Sequence, residues 1–254
     1  LSALATQPDR AVRNDRGSPR EPPPNEHLTT MPGPFSIGLA TKLLAWALTG
    51  VLLLMLVTWW FGRRIRNYGI VDVVWSFAFV PVTWLFAALG SGYWSRRFLV
   101  ASLVTLWSLR LGIHLWDRVA AMHPLEDHRY AELRQRWGKG SGTWMLGFYL
   151  LQGVLIVILS LPFLLASLDS RVGITVVEWL AVGIFAVALY GERKADRQLV
   201  DFKAENNDPT GVCQTGLWRH SRHPNYFFEW LIWIAFSLLA ATGPWGFLGF
   251  LSPL

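Results

Sequence analysis

The sequence predicts an all-α protein, a polytopic membrane helical bundle of about six to seven transmembrane helices. Three observations carry this. Of 254 residues, 52% are hydrophobic and only 16% are charged, whereas soluble domains hold about 25% charged residues. Mean hydropathy is +0.32. Apolar runs recur along the chain, several near the ~20 residues that cross a bilayer. A net charge of +6 would point to nucleic acid in a soluble protein. Here the basic residues read as loop markers, and no nucleic-acid partner is expected. Cys213 is the only cysteine, which excludes an intrachain disulfide and a Cys-rich zinc site.

Residues 1–34 are Pro-rich and lack an apolar period, so they read as a disordered N-terminal extension. They also lack the apolar core of a signal peptide, and Met31 is a candidate start. Residues 35–254 form the transmembrane domain. Apolar runs place helices at 37–61, 70–89, 97–116, 144–167, 173–190 and 224–242. The fifth continues as a polar helix to about residue 203, because Glu192, Asp196, Leu199 and Lys203 recur at spacings of three and four. Pro224 suits the first turn of the sixth. The last run, Trp245–Leu254, reads as the first half of a further helix.

Loops after the first, third and fifth helices hold fourteen Lys and Arg, and those on the other side hold three. The excess places that first set in the cytoplasm. The bilayer is the expected partner. Arg110, Asp72, His114, Glu178 and Glu229 fall at membrane depth, where a charge needs a partner or a wet cavity. Two explanations stay open: a structural ion pair, or a cavity lined for a ligand.

Three stretches hold candidate chemistry. Asp72 sits one turn inside the second helix, where the dipole favours an acid; it could equally orient a substrate or proton donor. Tyr68 is close to it in sequence. In the second cytoplasmic loop, Arg129, Arg134 and Arg136 suit pyrophosphate or anionic lipid, and Tyr130 is a candidate proton donor. In the third, Arg219, His220, Arg222 and His223 gather at a helix start, where free N–H groups favour anions. Asn225, Tyr226 and Glu229 follow within about one turn. HExxH and GxGxxG patterns are absent, so neither a zinc-protease site nor a Rossmann domain is expected, and no metal is assigned.

The stretches SRHPNYFFEW, ERKADRQLVDFK and TGLWRHSRHPNY resemble the C-terminal domain of membrane steroid 5-alpha-reductase-like proteins. NYGIVDVVWS, TLWSLRLGIHLW and EDHRYAELRQRWG look like a bacterial branch of that superfamily, so the resemblance covers roughly residues 60–240. The RHPNY core is shared with sterol reductases and, more loosely, with isoprenylcysteine methyltransferases. The resemblance implies a bacterial inner-membrane enzyme that uses NADPH, on the cytoplasmic face, to reduce an activated C=C bond of a hydrophobic, lipid-like substrate such as a steroid or enone. It carries cofactor contacts onto Glu192, Asp196, Lys203, Asn225 and Glu229, with Arg222 and His223 beside them. Arg129 and Arg219 join Arg222 and Lys203 as phosphate contacts. It puts Asp72 in place of a catalytic Glu, and Trp107, near Arg110 at the substrate cavity, in place of a catalytic Tyr. The proton then comes from Tyr130, Tyr226, Tyr68 or water. Phe228 stands where related motifs have Gly and is expected to narrow the approach to the cofactor. Alternatives on the same scaffold are a SAM-dependent methyltransferase and a non-catalytic lipid-binding relative.

Overall fold

The computed structural model describes residues 35–206, 208 and 211–253; the extension expected at 1–34 lies outside the described residues. Eight α-helices follow in order: α1 (Ile37–Ile65), α2 (Ile70–Leu89), α3 (Trp94–Met122), α4 (His128–Trp137), α5 (Ser141–Leu159), α6 (Leu161–Leu168), α7 (Val176–Glu205) and α8 (Pro224–Ala241). Three short 3-10 helices punctuate them, at Gly138–Gly140, Gly216–Arg219 and Gly246–Leu251. No strand occurs among the described residues.

Among the described residues, five stretches are long and apolar enough to cross a membrane: α1, α2, α3, the run His128–Leu168, and α8. That is fewer than six to seven. Two local causes account for the difference. The apolar part of α7 is bounded by Glu178 and Glu192. The last run does not form a long helix: Gly243, Pro244, Gly246 and Gly249 give a 3-10 segment that folds back on α6 and α8. Ser237 Oγ lies 2.8 Å from Gly249 O, and Ser252 Oγ donates to Leu159 O at 3.1 Å.

Two boundaries also move. The run expected at 144–167 breaks at Ser160 into α5 and α6, because Pro162 has no N–H for the preceding turn and suits the start of a new helix. The loop expected around 126–137 contains α4. Asp127 caps it, accepting from Arg129 N at 3.0 Å.

Helix pairs α2/α3 and α7/α8 approach closely, and each seam has a glycine facing a ring. A Cβ on Gly112 would overlap Phe77, and one on Gly191 would overlap Phe228. Small residues let backbones approach where no hydrophobic force drives helices together. Phe228 therefore sits in the α7/α8 seam against Gly191, which accounts for its bulk locally. Between these pairs lies an aromatic cluster: Phe79–Trp107 at 5.2 Å, Trp107–Trp233 at 5.1 Å and Phe163–Phe236 at 5.0 Å between ring centres, all edge-on.

Overpacking these seams should be felt directly. Gly112→Leu and Gly191→Leu are each expected to destabilise the bundle by about 1–3 kcal/mol, read as a lower Tm in detergent. Gly50→Leu, with nothing within 4 Å of the added atom, should melt like the parent.

Candidate functional site

Charged side chains gather at the end of the bundle where α1, α3 and α7 finish and α2, α5 and α8 begin. They form two groups joined by one stripe of α3. Trp107, Arg110, His114 and Arg118 recur at spacings of three and four, so they share a helix face.

The first group centres on Asp72, one turn into α2. Its Oδ1 accepts from Tyr130 Oη at 2.5 Å, and its Oδ2 accepts from Arg129 Nη2 at 2.7 Å and lies 3.4 Å from Arg118 Nη2. Tyr130 is buried on the inner face of α4. Arg118 and Arg129 also bind Asp127, both at 3.1 Å. The Arg129 side chain is the main cause holding the Asp127 carboxyl below its ordinary value. Glu126 accepts from Tyr68 N at 2.8 Å and pairs with Arg134 at 3.0 Å. Tyr68 contributes its backbone N–H here, and its carbonyl accepts from Tyr149 Oη at 2.6 Å. This group fastens α4 to the ends of α2 and α3.

The second group lies where α3, α7 and α8 face each other. Arg110 pairs with both Glu192 and Asp196, one turn apart on α7. His114 Nε2 is 4.0 Å from Asp196 Oδ2. Asn225 Nδ2 donates to Asp196 Oδ1 at 3.3 Å. A carboxylate only accepts, so the amide nitrogen must face Asp196. Asn225 Oδ1 is then left buried without a hydrogen-bond partner. One turn along α8, Glu229 accepts from Trp107 Nε1 at 3.1 Å and Trp233 Nε1 at 3.0 Å.

Beside this network an open cleft of about 620 Å³ runs between α3 and α7, lined by Arg110, Ile113, His114, Asp117, Arg193, Asp196, Arg197 and Val200. His114 was singled out from sequence as a group at membrane depth; Arg193, Arg197 and Asp117 were not given a site role there. Their signal is the matching periodicity of 110/113/114/117 on α3 and 193/196/197/200 on α7.

The structure thus joins Asp72, Tyr130 and Arg129 in one group, and Arg110, Glu192, Asp196, Asn225 and Glu229 in the other. Five candidates stay outside both. Lys203, Arg219, Arg222, His223 and Tyr226 are exposed. Among the described residues, their side chains have no ion-pair partner. Tyr226 stacks on His223 at 5.1 Å, away from Asp72. The 3-10 turn bearing Arg219 docks on α7 through Trp218 Nε1 to Ala195 O at 2.9 Å. Trp107 lies within the aromatic cluster and is wholly buried, rather than lining the cleft.

Membrane-length helices closed around buried ion pairs, with a charged cleft at one end, define a polytopic helical membrane protein. The chain belongs to the DUF1295 family, described as a protein of unknown function, whose model matches residues 58–254. It is also similar to Uncharacterized protein C594.04c of Schizosaccharomyces pombe, 31% identical over 233 residues. That match covers 82% of this chain and 65% of the yeast protein, so the chain spans just under two thirds of the relative's length. No solved structure matches.

Two outcomes test the groups. Arg110→Met leaves Glu192 and Asp196 without their cation, and the loss is expected to be about 3–5 kcal/mol in detergent melts, as for other broken buried pairs. Asp127 is held below its ordinary value of 3.8, so its contribution is present above that pH and is lost as pH falls through the lowered value. Acidification below 3.8 should release α4, and Asp127→Asn should release it at neutral pH. Fluorescence of Trp137 and Trp144 and proteolysis within 128–137 report this.

Proposed function

We propose that the protein is a membrane oxidoreductase that uses NADPH to reduce an activated C=C bond of a lipid-like substrate. The cleft between α3 and α7 carries this reading. Arg110, Arg193 and Arg197 bring three cations to its lining beside Asp117 and Asp196, and it adjoins a buried network in which Asn225 Oδ1 has no donor. A dinucleotide needs both features: cations for its phosphates and an acceptor for its carboxamide. Arg193, Arg197 and Arg110 would hold the phosphates, and Asn225 the amide. Lys203, Arg219 and Arg222 extend the positive charge toward solvent. When bound, NADPH supplies the hydride.

The chain supplies the proton. Tyr130 Oη donates to Asp72 at 2.5 Å, and Arg118 and Arg129 offset the carboxylate's charge. In this reading Tyr130 is the proton donor and Asp72 orients it. Arg110 and Arg118 lie eight residues apart on one face of α3, about 12 Å along the axis. One helix therefore carries both the cofactor-side and proton-side groups. The resemblance of the RHPNY region to steroid 5-alpha-reductase-like proteins supports the same reaction class.

One observation favours a rival. Trp107, where the resembled enzymes carry a catalytic Tyr, is an enclosed indole fixed to Glu229. A non-catalytic lipid-binding relative fits that substitution.

Thermal-shift titration of purified protein separates these. NADPH is expected to stabilise it, and SAM is not; a response to SAM alone sinks the reductase. Arg193→Gln combined with Arg197→Gln should weaken NADPH binding by about tenfold or more, the scale of one charge-assisted contact. Tyr130→Phe should keep NADPH affinity but lose enone-dependent NADPH oxidation. NADPH binding without turnover of any enone by the parent protein would favour the lipid-binding relative.

A further inference from the structure

We propose that the rim where α1 ends beside the α4–α5 junction binds the phosphate of an anionic phospholipid, whose acyl chains lie along α1. This does not depend on the reductase reading.

The cations there are uncommitted. Arg63, Arg64 and Lys139 are exposed, and among the described residues their side chains meet no carboxylate. By contrast, Arg118, Arg129 and Arg134 at the same end are each paired to an acid. Arg63 lies over the Trp59 ring at 5.7 Å and Arg64 over Trp60 at 5.1 Å. Trp59 Nε1 donates to Gly142 O at 3.0 Å. That bond brings the turn carrying Lys139 to the end of α1.

The apolar half of the site is a stripe. Trp46, Leu53, Val57, Trp60 and Arg64 are separated by seven, four, three and four residues, so they fall on one face of α1. The four apolar members are each more than half exposed. The stripe ends in a guanidinium already held against an aromatic ring. From Leu53 to Arg64 it runs about 16 Å.

Charge and shape together choose the occupant. A soluble anion would match the cations and leave the stripe unused. A neutral lipid would match the stripe and leave three cations unanswered. A phospholipid with net negative charge matches both, since basic residues at a membrane surface attract anionic lipid and Trp settles at headgroup level.

The test uses the full chain, delipidated in neutral detergent, with phosphatidylglycerol, phosphatidylcholine or inorganic phosphate added. Phosphatidylglycerol is expected to be retained in native mass spectra and to raise Tm more than phosphatidylcholine does. Arg63→Gln/Arg64→Gln/Lys139→Gln should erase that preference, with binding weakened about fivefold per neutralised side chain. Its melting with phosphatidylcholine should match the parent. If the triple variant does not fold, Arg64→Gln alone should show the fivefold loss expected for one cation. Equal shifts from both lipids, an unchanged preference in the variants, or a full shift from inorganic phosphate alone would each overturn the proposal.

Discussion

A guanidinium with no exposure to solvent organises the end of the bundle opposite the cleft. Arg96 donates through Nε to Glu178 Oε1 and through Nη2 to Glu178 Oε2 at 3.2 Å. Nη1 donates to Asp169 O at 3.1 Å and Arg171 O at 2.8 Å, and Nη2 also to Gly173 O at 2.7 Å. All five N–H groups of the side chain are used, so a buried charge becomes a junction between α3, the α6–α7 connection and α7. Glu178 closes a capping box with Thr175 at the start of α7. Nearby, burial pushes the Asp169 carboxyl up, but Arg171 and Arg96 outweigh it and hold the group below its ordinary value. Backbones come within contact of one another here: Gly92 N donates to Ser167 O at 3.0 Å, and a Cβ on Gly90 or Gly92 would overlap the same strand of chain.

The contrast between the two ends sets what each can do. At the Arg96 end all five N–H groups of that guanidinium are satisfied by the protein itself. At the other end Asn225 Oδ1 lacks a donor and several cations lack acids. A saturated junction confers fixed geometry, and groups with spare capacity near an open cleft are available to a ligand. The fixed junction and the open cleft therefore lie at opposite ends of the same helices, with α3 and α7 running the whole distance between them.

Long apolar runs were legible because a bilayer demands length and little else. The start of α2 follows from where its apolar run begins, and that of α8 from Pro224. The α4 helix was hidden, since it is short and polar; its inward set Tyr130, Leu133, Arg134 and Trp137 has helical spacing, but the charges around it read as a loop. Arg110 was recognised as needing a partner, and Glu192 and Asp196 were legible from their period. Arg193 and Arg197 were not, because facing across a cleft is a tertiary property. Arg219, Arg222 and His223 were grouped by adjacency, yet the helix begins at Pro224 and leaves them in solvent; Lys203, placed by its helical period on α7, and Tyr226, in the first turn of α8, are exposed as well. Burial of Trp107 could not be read from a sequence with 15 Trp, since enclosed and lipid-facing indoles look alike there.

The two arginine–glutamate pairs that bridge α3 and α7 have a mechanical consequence. Arg96 meets Glu178, and fourteen residues later on each helix Arg110 meets Glu192. Equal spacing on both partners means that the helices run parallel and in register, like the rails of a ladder with two rungs about 21 Å apart. Sliding one rail past the other would break both rungs together. Splaying breaks only the outer one, because the Arg96 rung is locked by four further bonds and acts as a pivot. Whatever draws Arg110 away from its carboxylates turns an ionic exchange at one rung into an angular opening of the whole cleft.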